Sequence, residues 1–308
     1  MQQTSAMLAV SASALLAAGA MFVGTPQATV ATAPAASHDS SARQLGPGKR
    51  ICGTPELTAA EIDLIERFAE AERRRLGKRA AAALGPIPVA FHVVYYDDGF
   101  FTTGLLTQTD VQNQIDALNV AYAPTGISFT LASTSFTNNL DWFLHTPGSI
   151  DERNMKLALG ADSREFLNIY TTGLTFTGLL GYATFPWNLR RAPELDGVVV
   201  SFDSVPGGSF PYDEGDTAVH EVGHWAGLFH TFQGGCSKRN DAVSDTPAEA
   251  QPFFGCSFVQ PDTCPAPGLD PIFNFMDYSD DACLDEFTAG QTSRATQMLS
   301  IFRSALFD

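Results

Sequence analysis

Basic side chains are scarce in this chain of 308 residues, which has 18 Lys and Arg against 34 Asp and Glu and a formal net charge of −16. Residues 1–79 hold nine of the basic and seven of the acidic residues, which leaves nine basic and 27 acidic in 80–308, a net of −18. A surface of that sign repels phosphate backbones and excludes nucleic acid as a partner. It fits a soluble protein that carries calcium or attracts basic substrates, and equally a surface kept acidic for solubility. Long apolar runs are missing beyond the N-terminus, since no other segment approaches the roughly 20 residues that span a bilayer. There is no C-x-x-C pair among the five cysteines, so the usual signature of a structural zinc site is absent. Histidine is sparse too, with six in the chain. An apolar content of 44% is that of an ordinary globular protein.

The N-terminus is apolar and rich in small residues from Ala6 to Val23, about the length of a signal-peptide core and its flanks, though no basic residue precedes it. Ala18-Gly19-Ala20 and Ala31-Thr32-Ala33 are small-x-small cleavage candidates. The Ala, Ser and Gly content makes a poor spanning helix. Export to the extracellular space is expected, with a signal peptide over 1–33 and no stable membrane association. Residues 24–50 have the Ala, Thr, Ser, Pro and Gly composition of a linker. Thr58 to Leu76 is expected as an amphipathic helix with apolar positions Ile62, Leu64, Ile65 and Phe68, and Thr58 with Glu61 as a capping box. Arg73-Arg74-Arg75-Leu76-Gly77-Lys78-Arg79 follows as a basic, protease-sensitive junction. Residues 34–79 are thus expected to form a pro-segment.

The main domain, 80–308, is expected to begin folding near Pro86. Strands are expected at Ile87–Tyr96, Ile127–Ser133, around Leu167–Tyr170, and at Gly197–Ser201. Thr109 to Ala121 has helical periodicity through Val111, Ile115, Leu118 and Val120. Gly181 to Pro186 has the character of an edge strand, because proline cannot sit in a central one. His92, inside the first strand, fits a core or hydrogen-bonded histidine better than a ligand. Helices and strands alternate up to about residue 215, and irregular structure is expected beyond residue 230. The pattern is α+β or three-layered.

The densest signal is His220-Glu221-Val222-Gly223-His224-Trp225-Ala226-Gly227-Leu228-Phe229-His230. Half of the chain's histidines fall in these eleven residues. On a helix, His220 and His224 lie on one face a turn apart, and two neutral imidazoles there can share one Zn²⁺. Glu221, beside the first ligand, can accept a proton from water acidified by the metal. Gly227 adopts left-handed angles cheaply, so the chain can turn and bring His230 in from outside the helix. Three protein ligands leave one coordination position open, the mark of a catalytic zinc.

Cysteines follow a second pattern. Cys236, Cys256, Cys264 and Cys283 cluster after the motif and suggest two disulfides, for which three pairings exist. Cys52 stands alone in Arg50-Ile51-Cys52-Gly53-Thr54. A lone thiol in an exported chain implies an intermolecular bridge or a functional group, and a thiolate is a strong zinc ligand.

The zinc motif, its continuation Thr231-Phe232-Gln233-Gly234-Gly235-Cys236, Val243 to Glu249, and Asn274-Phe275-Met276-Asp277-Tyr278-Ser279 through Cys283 together resemble the pappalysin family of metzincins, notably its short secreted microbial members of the ulilysin type. The resemblance covers roughly residues 50–308. It implies a metzincin-type zincin: a twisted mixed sheet with the active-site helix, then an irregular, disulfide-linked lower subdomain over 231–308. It implies a zinc endopeptidase acting on protein or peptide substrates, Met276 as the Met-turn floor under the metal, and Tyr278 as an oxyanion stabiliser. It implies disulfides Cys236–Cys264 and Cys256–Cys283, and peptide binding along the Gly181–Pro186 strand. Calcium in the lower subdomain is implied as well, with Asp241, Asp245 and Glu249 as oxygen donors, against the plain alternative of a surface loop. R-x-C-G resembles the inhibitory pro-segment cysteine of latent metzincins, which makes Cys52 a candidate switch. Asp280 and Asp281 are candidates for a pocket that takes a basic residue. A catalytically silent peptide-binding protein on this scaffold, and a zinc hydrolase of non-peptide substrates, are the competing readings.

Overall fold

The computed structural model describes residues 51–77 and 85–307. The expected signal peptide (1–33), residues 34–50 and the end of the basic junction at Lys78 and Arg79 lie outside the described residues.

Helix α1 spans Ala59–Leu76, with Thr58 and Glu61 forming a reciprocal capping box that satisfies two helix-end donors. Ile62 and Ala69 are buried, Ile65 packs against the cluster around Ala69, and Phe68 stacks on Phe302 with ring centres 5.5 Å apart. Positions 62, 65 and 69 form one helical stripe. Leu64, expected on that stripe, lies off it and is 64% exposed.

Strand β1 (Ile87–Asp97) is buried from Val89 to Val94, as apolar side chains on both sides of His92 imply. The two-residue β2 (Thr102–Thr103) pairs antiparallel with its end. Helix α2 (Gln108–Tyr122) buries Val111, Ile115, Leu118 and Tyr122. Val120 departs from the expected apolar face and is 77% exposed, since it sits between Leu118 and Tyr122 on the outer side. Strand β3 (Phe129–Asn138) runs parallel to β1 and extends five residues beyond the expected Ser133. Its second half, Thr134 to Asn138, has no apolar run and is recruited by pairing alone. Short α3 (Leu140–Phe143) and α4 (Ile150–Leu159) cross over to β4 (Leu167–Thr172), parallel to β1. Strand β5 (Gly181–Ala183) is antiparallel to β6 (Val198–Ser201), which is parallel to β4. β5 therefore forms the sheet's edge.

Side chains on one face of the sheet, among them Val89, Phe91, Ile169, Val198 and Val200, meet α2 and helix α5 (Asp216–Trp225). On the other face Val94, Tyr170, Tyr182 and Val199 meet Phe143 and Met155 of α3 and α4. Period-two alternation fills both layers from the same strands. Residues 226–288 have no α-helix or long strand among the described residues, and disulfides join Cys236 to Cys264 and Cys256 to Cys283. Helix α6 (Ala289–Phe302), opened by a Thr288–Gln291 capping box, departs from the irregular structure expected there. Its Thr, Ser and Gln content hides a stripe of Ala295, Met298, Leu299 and Phe302 that is buried.

Candidate active site

Helix α5 is buried along its whole length, and it ends where Gly227 takes a φ of +96°. The Gly227 N–H donates to His224 O and the Leu228 N–H to Gly223 O, closing the helix in the left-handed manner that glycine favours. The chain then doubles back. His220 Nε2 and His230 Nε2 lie 3.2 Å and 3.0 Å from His224 Nε2. The other ring nitrogens of the two helix histidines face backbone carbonyls: His220 Nδ1 is 2.7 Å from Phe275 O, and His224 Nδ1 is 2.9 Å from Leu228 O. Donation from Nδ1 leaves the Nε2 lone pairs directed at one point.

Burial drives the His224 imidazole down to about 4. Burial and then the neighbouring His224 push His230 well below its ordinary value. Neutral imidazoles are the form a metal needs. Met276 lies beneath, where a β-carbon on Gly223 would run into its sulfur, so glycine lets the Met-turn close on the helix. Tyr278 Oη lies 3.3 Å from His230 Nε2, with its ring packed among His230, Phe232 and Phe254.

Cys52 completes the cluster. One ligand atom from each of Cys52, His220, His224 and His230 lies within 4.8 Å of all the others. Burial, and then the Glu221 carboxylate, hold the thiol well above its ordinary range. Residues 51–54 run alongside β5. The Leu180 N–H donates to Ile51 O at 2.9 Å, and the Gly53 N–H donates to Gly181 O at 2.8 Å. Thr54, which sequence reasoning passed over, sits at the centre. Its hydroxyl donates to Glu221 Oε2 at 3.0 Å and accepts from the Ala183 N–H at 2.8 Å. The available signal was its place two residues after Cys52, on the same face of an extended segment. Gly181 allows the close approach, because a β-carbon there would meet Glu221 Cγ at 2.7 Å.

The acidic residues fall into two groups. Asp241 and Glu249 are buried. Asp245 instead accepts from the Thr288 hydroxyl and the Gly290 N–H at the start of α6. Asp281 is buried, and its Oδ2 accepts from the Glu214 and Asp216 N–H groups at the start of α5. Through these bonds it serves the helix end. Asp280 is half-buried beside it.

Three imidazoles with an adjacent carboxylate, and Cys52 as the fourth possible ligand among the described residues, fit a metal of the zinc type. The fold and this cluster define a metzincin metallopeptidase. Comparisons with known proteins agree. The peptidase family described as Pregnancy-associated plasma protein-A matches residues 161–300. The extracellular metalloprotease of Pyricularia oryzae is 43% identical over 260 residues, 82% of this chain and 89% of that protein. That of Neurospora crassa is 42% identical over the same shares. Among solved structures, a mutant of Tannerella forsythia promirolysin is similar with a TM-score of 0.65 and 28% identity over 84% of this chain and 97% of that one. Mature Tannerella forsythia mirolysin in complex with a cleaved peptide has a TM-score of 0.61 and 30% identity over 73% of this chain and 96% of that one. The chain belongs to the pappalysin family of metzincins and is a zinc metalloendopeptidase.

Proposed function

We propose that this endopeptidase is exported and made as a latent precursor in which Cys52 is the switch. The observation that carries this reading is the thiol of Cys52 among the three imidazoles, with its neighbours Gly53 and Thr54 on β5 and on Glu221. Residues 34–79 then act as the pro-segment, 80–308 as the catalytic domain with its lower part from 231, and 1–33 as the signal peptide. Relatives named extracellular metalloproteases support export. The alignment with promirolysin, which covers more of this chain than that with the mature enzyme, supports the pro-segment.

When bound by His220, His224 and His230, zinc supplies a Lewis acid that acidifies water and polarises a carbonyl. Glu221 is the base that takes the proton and returns it to the departing amine. Tyr278 donates its phenol to the developing oxyanion. The outer edge of β5 receives an extended peptide by main-chain hydrogen bonds, and the Leu180 N–H, Gly181 O and Ala183 N–H groups that residues 51–54 now occupy are those bonds' protein side. Asp280 and Asp281 remain the candidates to favour a basic residue after the cut bond.

Calcium is the second proposed metal. Asp241 Oδ2 and Glu249 Oε1 are buried without a hydrogen-bond partner among the described residues. Burial raises Asp241 to about 7. Burial, then the nearby Asp277 and Asp270 carboxylates, raise Glu249 to about 9. A cation bound at either carboxylate would offset the cost of its burial.

Two variants test the reading. Glu221→Gln should abolish casein hydrolysis, with a loss on the order of 10²–10⁴ or more, while zinc content measured by metal analysis is kept. Retained hydrolysis refutes the assigned base. Cys52→Ala in the full-length precursor should raise its activity before any cut at Arg73–Arg79. A precursor as latent as the wild type would exclude the switch.

A further inference from the structure

Asp196 takes no part in the reaction just described, yet every one of its carboxylate oxygens is bonded twice. It is 2% exposed, and its partner Arg303 is 1% exposed. Arg303 Nη1 and Nη2 donate to Asp196 Oδ2 and Oδ1, both at 2.8 Å. Each carboxylate oxygen accepts a second bond. The Thr184 hydroxyl donates to Oδ1 at 2.7 Å, and the Trp225 indole N–H donates to Oδ2 at 3.0 Å. The guanidinium also lies 3.9 Å over the Trp225 ring and donates through Nε to Trp225 O at 3.3 Å. Thr184 Oγ1 in turn accepts from the Gly197 N–H at 3.0 Å.

Thr184 is the residue after β5, and Trp225 is the residue after His224. We infer that Asp196 and Arg303 are positioning residues for peptide hydrolysis, fixing the β5 edge against the histidine helix α5. A buried ion pair is a poor way to add stability, because apolar residues of similar volume do as well or better. Its particular gain is direction: a bidentate pair holds two bonds in a fixed fork. Here the fork has one arm on the strand and one on the helix. Arg303 lies just past α6, so the C-terminal helix is drawn into the same joint. The inference rests on the reading that substrate docks along β5, since only then does the strand-to-helix relation enter the reaction.

Steady-state kinetics on the processed, active enzyme separate the two arms. Thr184→Val removes the strand arm and should raise KM for an extended peptide roughly tenfold with kcat little changed, while Thr184→Ser, which keeps the hydroxyl, restores KM. Trp225→Phe removes the helix arm and should lower kcat roughly tenfold with little change in KM. Arg303→Lys keeps the charge without the fork and should move both. If activity falls only in step with the folded fraction, with kcat and KM of the folded enzyme unchanged, the residues are merely structural and the proposal falls. A parallel control uses the same peptide N-methylated at the backbone flanking the cut bond. If wild-type KM is the same for both peptides, docking on β5 is wrong and the proposal falls with it; if the N-methylated peptide has the higher KM while the variants' kcat and KM are unchanged, docking stands and the positioning role alone is refuted.

Discussion

At the scale of single residues, the candidate site divides into groups proposed to hold a metal, groups proposed to move protons and groups that let the others approach. The first were legible in the sequence because they are local: His220, His224 and His230 announce themselves by spacing on one turn-terminated helix. Tyr278 and Met276 were legible only through resemblance, since nothing in a lone N-F-M-D-Y fixes its place under a helix some fifty residues upstream. Thr54 and Asp196 were not legible, because their roles exist only after distant segments meet; Thr54 reaches Glu221 across 167 positions and Arg303 reaches Asp196 across 107. Two substitutions follow at this scale. Tyr278→Phe keeps the packed ring and removes the donor, so kcat for peptide cleavage should fall about 10²-fold, the range for one oxyanion donor, with folding intact by circular dichroism. Thr54→Val in the precursor should raise residual activity even where Cys52 is intact, because Glu221 loses its hydroxyl partner.

At the scale of elements, strands were read more surely than helices. β6 is a buried apolar run, and β1 and β4 are buried strands rich in apolar and aromatic side chains, which a sequence displays directly. β3 runs past its apolar part because β1 offers it a ladder, and α6 hides its stripe among hydroxyl and amide side chains. The helix α5 has a weakness at its start. Its N-cap is Gly215, with no side-chain cap bond. Asp281, from the chain after the Met-turn, accepts from two N–H groups there instead. An anionic oxygen at that end also complements the helix dipole. Asp281→Ala should therefore cost about 1–2 kcal/mol, seen as a fall of a few degrees in melting temperature. An Asp281→Ala enzyme with unchanged stability but altered preference for basic residues would return this carboxylate to the substrate pocket.

At the scale of the whole molecule, two halves are stabilised by different means. Up to α5 the chain is held by a two-faced sheet with apolar layers on both sides. Beyond it, residues 226–288 are irregular among the described residues and are cross-linked by two disulfides. Closing loops of this size contributes about 3–4 kcal/mol each. Removal of calcium by a selective chelator should lower the melting temperature of the wild type. The double variant Asp241→Asn, Glu249→Gln should melt at the same temperature with and without chelator, since neutral amides need no cation. Equal sensitivity in both proteins would dismiss a calcium site at these residues. Composition indicates an acidic surface, yet Asp241 and Glu249 are buried.

Residues 51–77 hold to the rest of the protein through non-covalent contacts, among them backbone bonds to β5, Phe68 against Phe302, the Arg294–Glu66 pair at 2.7 Å and an ion pair between Arg239 and Asp63. Cys52 forms no disulfide, so the main chain through residues 78–84 is their covalent link to the body. On the precursor reading, a cut in that stretch removes no atom from the site. It changes the cover from a tethered group, present at an effective concentration on the order of millimolar, into a separate ligand at whatever concentration the enzyme itself has. Activation then becomes a matter of dilution. Freshly cut enzyme should remain quiet where it is crowded and awaken as it spreads.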